Sequence, residues 1–252
     1  MLLKFLSCFI LIVLSYTCSF GQNDEEEEYH RKEFVFGVNL NTNAGLIGGG
    51  MFRYTQAINK KKYWNIGLEI VEVKHPNESR YSSGLTGDNY ILGKANYLTV
   101  FRPNYGREYM IFSKGNEDGV QIDALFAVGP SIGMITPYYI EFSNPNYTQS
   151  DYERYDVNIH DPNIIDPNRI LGAPGYFYGL GQSTFTLGLH AKAALTFEFG
   201  TFNTGVSGLE AGVLLESFAH KIVMLDLSST VPTNNNQFFS SLYINIYFGG
   251  RR

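Results

Sequence analysis

The sequence predicts an all-β fold, an eight-stranded antiparallel up-and-down transmembrane β-barrel, from three observations. Apolar side chains occupy every odd position from Leu187 to Phe199, which is the period of a strand with one apolar face. Eight alternating segments follow one another between turn signals, and aromatic residues gather at their ends. A tilted strand of about 9–11 residues is enough to cross a bilayer, and the segment from Leu187 to Phe199 exceeds that length.

Residues 1–21 have the form of a secretory signal peptide. Lys4 precedes an apolar run from Phe5 to Leu14, and the small residues Ser19 and Gly21 stand before Gln22, the arrangement that signal peptidase requires. The run is too short for an anchor helix, which needs about 20 residues. Cleavage removes both cysteines and leaves no thiol for disulfides, thiolate metal sites or nucleophilic catalysis. Lipidation of Cys18 is the alternative fate of the signal.

Charge excludes one class of partner. Residues 22–32 form an acidic, solvated periplasmic tail, and residues 33–252 form the barrel domain. The whole chain has 19 basic and 24 acidic residues; loss of Lys4 leaves 18 and 24, a formal charge of −6. Such a surface does not favour nucleic acid.

The eight strands are predicted from alternation and bounded by turn residues. They are 34–42, 47–57, 63–74, 94–103, 120–142, 187–199, 206–218 and 238–248. With a periplasmic N-terminus, the connections 59–62, 104–119 and 201–205 are inner turns. The connections 43–46, 75–93, 143–183 and 219–237 are outer loops, and 143–183 is the longest. Short inner turns and long outer loops are typical of outer-membrane barrels.

A soluble barrel shows the same alternation with its apolar face turned inward, so the positions of the aromatic residues distinguish the two. One predicted band, at the periplasmic end, comprises Phe34, Phe36, Tyr63, Trp64, Phe101, Phe197, Phe199, Tyr247 and Phe248. The second, at the outer end, comprises Tyr138, Tyr139, Phe142, Phe218, Phe238 and Phe239. Two aromatic bands are typical of membrane interfaces, which favours the membrane barrel.

Three stretches resemble a known group of proteins. They are Ser19-Phe20-Gly21 before Gln22, GVNLNTNAGLIGGG at 37–50, and FEFGTFNTGVSGLEAGVLLE at 197–216. Together they are similar to small outer-membrane β-barrel proteins of Bacteroidota, the PorT-like and OmpA-like barrel group. The resemblance implies an outer-membrane location and a structural or complex-forming role. The chain departs from many such barrels at its end, where Gly249-Gly250-Arg251-Arg252 follows Phe248.

Ionisable residues fall on the polar face of the strands, which a membrane barrel turns inward. The predicted interior charge network consists of Glu69, Asp123, His190, Lys192, Glu198, Glu210 and Glu216. Arg53 and Arg102 join it if their strands have the right phase. An eight-stranded barrel has an interior that side chains fill, and buried charges must be paired. A structural plug is therefore predicted, with a narrow conduit as the alternative.

Neither catalysis nor metal binding is predicted. Glu216, Ser217 and His220 are close in sequence, as a hydrolytic set requires, but Glu216 and Ser217 point to opposite faces of a strand. His160, Asp161 and Asp166 include potential metal ligands, yet the repeated Asp-Pro-Asn is better explained by turn formation. No cofactor is predicted.

The apolar part of the long loop is the predicted partner-docking surface, either packed over the barrel mouth or exposed to a partner. Its residues are Arg169, Leu171, Tyr176, Phe177, Tyr178 and Leu180. The segment 109–112 is a second predicted surface. The expected role is structural or protein-binding, within an outer-membrane assembly or secretion complex. Its expected partners are outer-membrane lipid and other envelope proteins. A narrow channel or ligand-binding barrel is the alternative, and a lipid-modifying enzyme is the third hypothesis.

Overall fold

The computed structural model describes residues 32–113, 119–143, 149–154, 167–199, 205–226 and 235–251. Several predictions concern residues outside these ranges and stay predictions. They are the signal peptide at 1–21, the tail at 22–32 except its last residue, the fate of Cys18, and the roles of His160, Asp161 and Asp166. Within these ranges, no helix is long and apolar enough to span a membrane.

The described chain consists almost entirely of strands. In chain order they are β1 (Lys32–Asn41), β2 (Gly45–Asn59), β3 (Lys62–Val73), β4 (Arg80–Ser82), β5 (Asn89–Ile91), β6 (Asn96–Phe112), β7 (Gln121–Pro137), β8 (Tyr139–Ser143), β9 (Ser150–Arg154), β10 (Ile170–Gly172), β11 (Thr184–Phe199), β12 (Gly205–Phe218) and β13 (Phe238–Arg251). Single 3₁₀ turns lie at Pro167–Arg169 and Leu180–Gln182.

The eight long strands close into a barrel. Their order around the wall is β1, β13, β12, β11, β7, β6, β3, β2, and β2 pairs again with β1. Every neighbouring pair is antiparallel, and the closing pair aligns Glu33 with Arg251 at one end and Asn41 with Tyr243 at the other. Closure leaves no unpaired strand edge in the wall. The predicted eight-stranded antiparallel up-and-down barrel is confirmed.

The prediction for residues 104–119 is wrong as far as residue 112, and its turn at 115–119 lies almost wholly outside the described ranges. It treated them as a connection, but β6 continues to Phe112, so 109–112 lies in the wall and is not a turn. Asn104, Gly106 and Glu108 are buried, whereas Tyr105 and Arg107 are exposed. The side chains therefore still alternate in direction. Alternation of hydropathy disappears, because the inward residues are small or polar and the outward ones are amphipathic.

The predicted strand 120–142 is also wrong at its end. β7 leaves the barrel wall after Pro137, where the Tyr138 amide donates to the Ala95 carbonyl at 2.9 Å. β8 then pairs with β9 and β10 in a three-stranded sheet of order β10, β8, β9. The predicted outer loop 143–183 thus contains two strands of its own, and they form a cap at the outer end of the barrel.

Candidate functional site

The barrel presents its apolar residues outward and its polar residues inward. Along β11, Leu187 and Leu189 are 65% and 70% exposed, whereas His190 and Lys192 are buried. The outward faces of the other strands follow the same rule, with Phe34, Phe36, Phe52, Phe126, Val128, Leu242 and Phe248 among the exposed residues. A protein folded in water buries such side chains, so this distribution is inverted relative to a soluble barrel.

The aromatic residues divide differently from the prediction. Phe34, Phe36, Phe199 and Phe248 are exposed at the predicted inner end, in agreement with one band. Phe101 lies in the other half of the wall, opposite Ile132. Two further groups turn inward: Tyr247 beside Arg53, and Tyr138, Phe218 and Phe239 at the outer end, all buried. The outer band is consequently sparse, with Phe185 and Phe238 as its exposed members.

All seven predicted interior residues are buried inside the barrel. Glu69, Asp123, His190, Lys192, Glu198, Glu210 and Glu216 each have 5% exposure or less. They lie on four strands, β3, β7, β11 and β12, whose inward positions are fixed by the register. The structure brings them together in three connected groups at the middle, outer and inner levels of the interior.

Glu210 is the centre of the middle group. Its carboxylate accepts hydrogen bonds from Arg53 at 2.5 Å, from Lys192 at 3.1 Å and from the Tyr243 hydroxyl at 2.7 Å. Lys192 also donates to Glu69 at 2.5 Å. The four strands β2, β3, β11 and β12 are therefore linked across the interior by ion pairs, beside a small apolar cluster that includes Leu125, Leu214 and Tyr243.

The outer group is built around Glu216. Arg102 donates to both carboxylate oxygens, at 2.8 and 2.7 Å, the bidentate geometry of a strong pair. Ser131 donates to the same carboxylate at 2.6 Å and lies 3.0 Å from Nδ1 of His190. Because the Ser131 hydroxyl donates its hydrogen to Glu216, the bond between Ser131 and His190 has Nδ1 of His190 as the donor. Ser131 has no exposed surface, so it serves as a buried bridge between His190 and Glu216.

The inner group surrounds a small polar cavity. Arg251 pairs with Glu198 and with Glu33, the latter at 3.3 Å, and Asp123 accepts from Gln121 at 2.9 Å. The cavity has a volume of about 30 Å³, which leaves room for ordered water.

The interior holds more acids than bases. Among the described residues, its carboxylates are Glu33, Glu69, Glu108, Asp123, Glu198, Glu210 and Glu216, and its cations are Arg53, Arg102, Lys192 and Arg251. Asparagine amides supply further donors: Asn65 donates to Glu108 at 2.8 Å, and Asn39 to Asn245 at 2.7 Å. Side chains therefore fill the interior at every level of the network.

An apolar plug closes the outer end of the interior. Its residues are Val71, Val73, Leu98, Val100, Phe218, Ile222, Met224 and Phe239. Ile222 and Met224 belong to the segment 219–226, which leaves the wall after β12 and folds back into the barrel mouth. Asn235 holds this segment through bonds with the backbone of Met224 and Leu225, at 2.9 and 2.7 Å. The plug separates the charged interior from the outer loops.

The outer cap covers the plug. Tyr90, Tyr138, Ile140 and Ile170 form a second apolar cluster that joins the loop 74–95 to the small sheet. Beside it, Lys94 is buried and donates to Glu78 at 2.8 Å. Burial lowers the pKa of Lys94, while Glu78 acts in the opposite direction. The cap is therefore a packed structure.

The six predicted docking residues divide between the cap and the surface. Arg169 donates to the Ser143 carbonyl at 2.8 Å, and Leu171 is half-buried. Tyr176 packs against Tyr97 and bonds to Thr99 at 2.6 Å. The remaining three are exposed, namely Phe177 at 82%, Tyr178 and Leu180. The loop thus both closes the barrel mouth and presents an aromatic surface.

The hydrolytic set considered from the sequence is not assembled. Glu216 is buried in its pair with Arg102, while Ser217 and His220 are exposed on the outside. Within the described ranges, no group of three or more His, Cys, Asp or Glu is arranged to hold a metal ion.

Several interior residues were not predicted from the sequence, among them Glu33, Glu108, Asn245 and Arg251. The signal that could have found them is the alternation of side chains along a strand. Asn245 and Arg251 are odd-numbered residues of β13, as are the buried Tyr243 and Tyr247, so they point to the same side. The predicted last strand ends at Phe248, whereas β13 extends to Arg251. Glu108 was missed because residues 104–119 were not recognised as strand.

No protein-family model and no curated protein sequence matches the chain. Two solved structures are similar in fold. Ail, the attachment invasion locus protein of Yersinia pestis, determined in complex with the heparin analogue sucrose octasulfate, is 9% identical. The match covers 89% of this chain and all of that one, with a TM-score of 0.38. Neisserial surface protein A is 7% identical over 88% of this chain and 96% of that one, with a TM-score of 0.36. The barrel architecture of the present chain is established from its own strand pairing.

Proposed function

We propose that this protein is an outer-membrane β-barrel with a structural and protein-binding role. The observation that carries the proposal is the inverted distribution of side chains: apolar residues cover the outside of a closed barrel whose interior holds paired charges. Contact with lipid removes the cost of the exposed apolar surface. The resemblance of segments 37–50 and 197–216 to Bacteroidota outer-membrane barrels agrees with this location.

The filled interior favours a structural role over a conduit. Ion pairs occupy its inner and middle levels, the apolar plug closes its outer end, and the inner cavity is small, about 30 Å³. An ion that crosses this barrel would have to break several buried pairs, each of which costs about 3–5 kcal/mol to disrupt. The purified protein should therefore show no steady conductance in planar bilayers.

The exposed aromatic surface at the outer end favours a protein partner. Phe177, Tyr178 and Leu180 project from a cap that Tyr176 anchors to the barrel, so the surface is held in place before a partner arrives. Preorganised aromatic anchors are typical of binding hot spots. The partner proposed is another protein of the cell envelope, within an assembly or secretion complex.

Cell fractionation and gel migration test the location. The protein should be found in the outer-membrane fraction and should migrate differently with and without boiling, because a closed barrel resists detergent at room temperature. Recovery in the periplasm or the medium would refute the proposal.

Affinity purification from crosslinked cells tests the role. The triple variant Phe177→Ser, Tyr178→Ser, Leu180→Ser should lose envelope partners that the wild type retains. The matched control is Tyr81→Ser, Leu85→Ser, which removes exposed apolar residues from the neighbouring outer loop. Equal recovery of partners from both variants would exclude the aromatic surface as the binding site.

A further inference from the structure

A trough on the outer face of the barrel lies across β6, β7, β11 and β12. Ala191 and Ala193 form its floor, because they are the small outward residues of β11. Ala193 is aligned with Phe126 on one side and with Val213 on the other, so larger side chains form the walls. The trough has a volume of about 550 Å³ and is lined mainly by apolar atoms. Its shape and chemistry fit a hydrocarbon chain.

A cation stands at the edge of this trough. Arg107 is an exposed, outward residue of β6, and its guanidinium lies 5.5 Å from the centre of the Tyr105 ring. It makes no ion pair with any residue that the structure describes. Its neighbours on the adjacent strands are Trp64 on β3 and Phe126 on β7, so aromatic residues flank Arg107 on both sides.

A second cation lies on the same face. Lys62 is exposed, is aligned with Tyr109, and has its ammonium 5.9 Å from that ring. Tyr109 is two residues from Arg107 along β6, so both cations project from the same side of the wall. They lie toward the end where β6 finishes at Phe112 and where the turn between β2 and β3 is located. That end is the inner one in the proposed orientation.

An arginine on a lipid-facing wall requires an anionic or aqueous partner. Its charge is costly within hydrocarbon, and it reaches toward the interface to avoid that cost. The outward residues of β6, β7, β11 and β12 that the structure describes include no carboxylate. A second copy of the chain docked through the same face would therefore bring no counter-ion for Arg107. A phosphate satisfies the guanidinium fork well.

We propose that Arg107 and the trough form a binding site for a phospholipid of the leaflet that surrounds the inner end of the barrel. Arg107 binds the phosphate, Lys62 adds a second positive charge, and one acyl chain lies over Ala191 and Ala193 between the apolar walls. The site rests on the proposed membrane location but requires more than that location, because general lipid contact needs neither the cation nor the trough.

Native mass spectrometry of the detergent-purified protein tests the site, with palmitoyl-oleoyl phosphatidylglycerol as the added probe and dioleoylglycerol as the phosphate-free comparison. The wild type should bind one phosphatidylglycerol in preference to dioleoylglycerol. Arg107→Gln should weaken binding about tenfold, the effect of losing a charge-assisted contact, and Arg107→Lys should retain part of it. Ala193→Phe, which fills the trough, should also lose binding.

Matched controls lie on the opposite wall, since β1 is four strands from β7 in either direction around the barrel. Lys32→Gln removes an exposed cation and Val38→Phe enlarges an exposed apolar residue there, and both should bind lipid as the wild type does. Equal binding by wild type and Arg107→Gln, equal binding of dioleoylglycerol, or dimers in place of bound lipid would each overturn the site. If the protein is heat-modifiable and found in the outer membrane but does not select the phospholipid, this site alone is refuted. If the protein is soluble, the membrane location is refuted as well.

Discussion

At the scale of single residues, the interior depends on a few carboxylates that each serve several donors. Glu210 has no exposed surface and compensates both Arg53 and Lys192. A buried ion pair adds little when compared with an apolar replacement, but the loss of one partner leaves the other charge uncompensated. The consequences of substitution should therefore be much larger in the interior than on the surface.

Replacement of Glu210 tests this difference. Glu210→Gln should lower the free energy of unfolding by roughly 3–5 kcal/mol, because Arg53 and Lys192 lose their shared anion. Urea unfolding of the protein in lipid vesicles measures the change. Glu72→Gln is the control, since Glu72 is half-exposed and pairs with Lys74 at 3.3 Å, and it should cost less than about 1 kcal/mol. Equal effects of the two substitutions would contradict the network.

At the scale of elements, the segment 219–226 is held in the barrel mouth by polar contacts as well as by apolar packing. The side-chain oxygen of Asn235 accepts hydrogen bonds from the backbone amides of Met224 and Leu225. The Ala95 amide donates to the Met224 carbonyl at 3.0 Å. These contacts lie outside the barrel wall. The segment should therefore open without unfolding the barrel.

The substitution Asn235→Ala should release this segment. Limited proteolysis should cut within 219–237 faster than in the wild type, because the buried amides of Met224 and Leu225 lose their acceptor. Heat-modifiable migration should be unchanged, since the wall is intact. Asn236→Ala is the control at an exposed neighbouring position. Unchanged cleavage in Asn235→Ala would show that apolar packing alone holds the plug.

Closure of the wall between β1 and β13 requires close approach at Gly249. A Cβ added there would clash with the Phe34 carbonyl oxygen, so the two strands would have to separate. Gly249→Ala should destabilise the barrel by about 1–3 kcal/mol, the usual cost of overpacking. Unfolding in urea checks the value. Gly205→Ala, where an added Cβ meets nothing within 4 Å, should be close to neutral, and a comparable loss there would argue against a local clash.

At the scale of the whole molecule, the inverted distribution makes stability depend on the surrounding medium. A charge on the outside of the barrel is harmless in water but costly in lipid, and its cost depends on depth. Ile244 is an exposed residue near the middle of β13, and Phe238 is an exposed residue at the outer end of the same strand. The two positions therefore sample different depths of one surface.

Arginine at these two positions measures the depth dependence. Ile244→Arg should cost about 2–4 kcal/mol in a bilayer, and Phe238→Arg about 0–1 kcal/mol, because Phe238 is near the interface. Folding into lipid vesicles against a urea gradient gives both values. Equal and small effects would mean that this surface faces water.

Particular residues show how far the sequence alone could lead. The period of two from Leu187 to Phe199 predicted β11. It also placed His190 and Lys192 on the face opposite the apolar residues, because successive side chains of any extended chain point to opposite sides. β6 beyond Pro103 was not recognised, because Asn104, Gly106 and Glu108 face inward while amphipathic residues face outward. Arg251 was not recognised either, since a strand end carries no hydropathy signal of its own.

The sequence by itself determined the number of strands in the barrel wall, their antiparallel order and which residues share a face, because each depends on local periodicity and on turn residues. The sequence favoured the polar face as the inner one, but only the tertiary structure decided which charges are paired and how the outer end is closed. Those features depend on the register of strands distant in the sequence, such as Arg102 on β6 and Glu216 on β12, whose 2.7 Å pair spans the interior. Periodicity fixes the direction of a side chain, whereas closure of the barrel selects its partner.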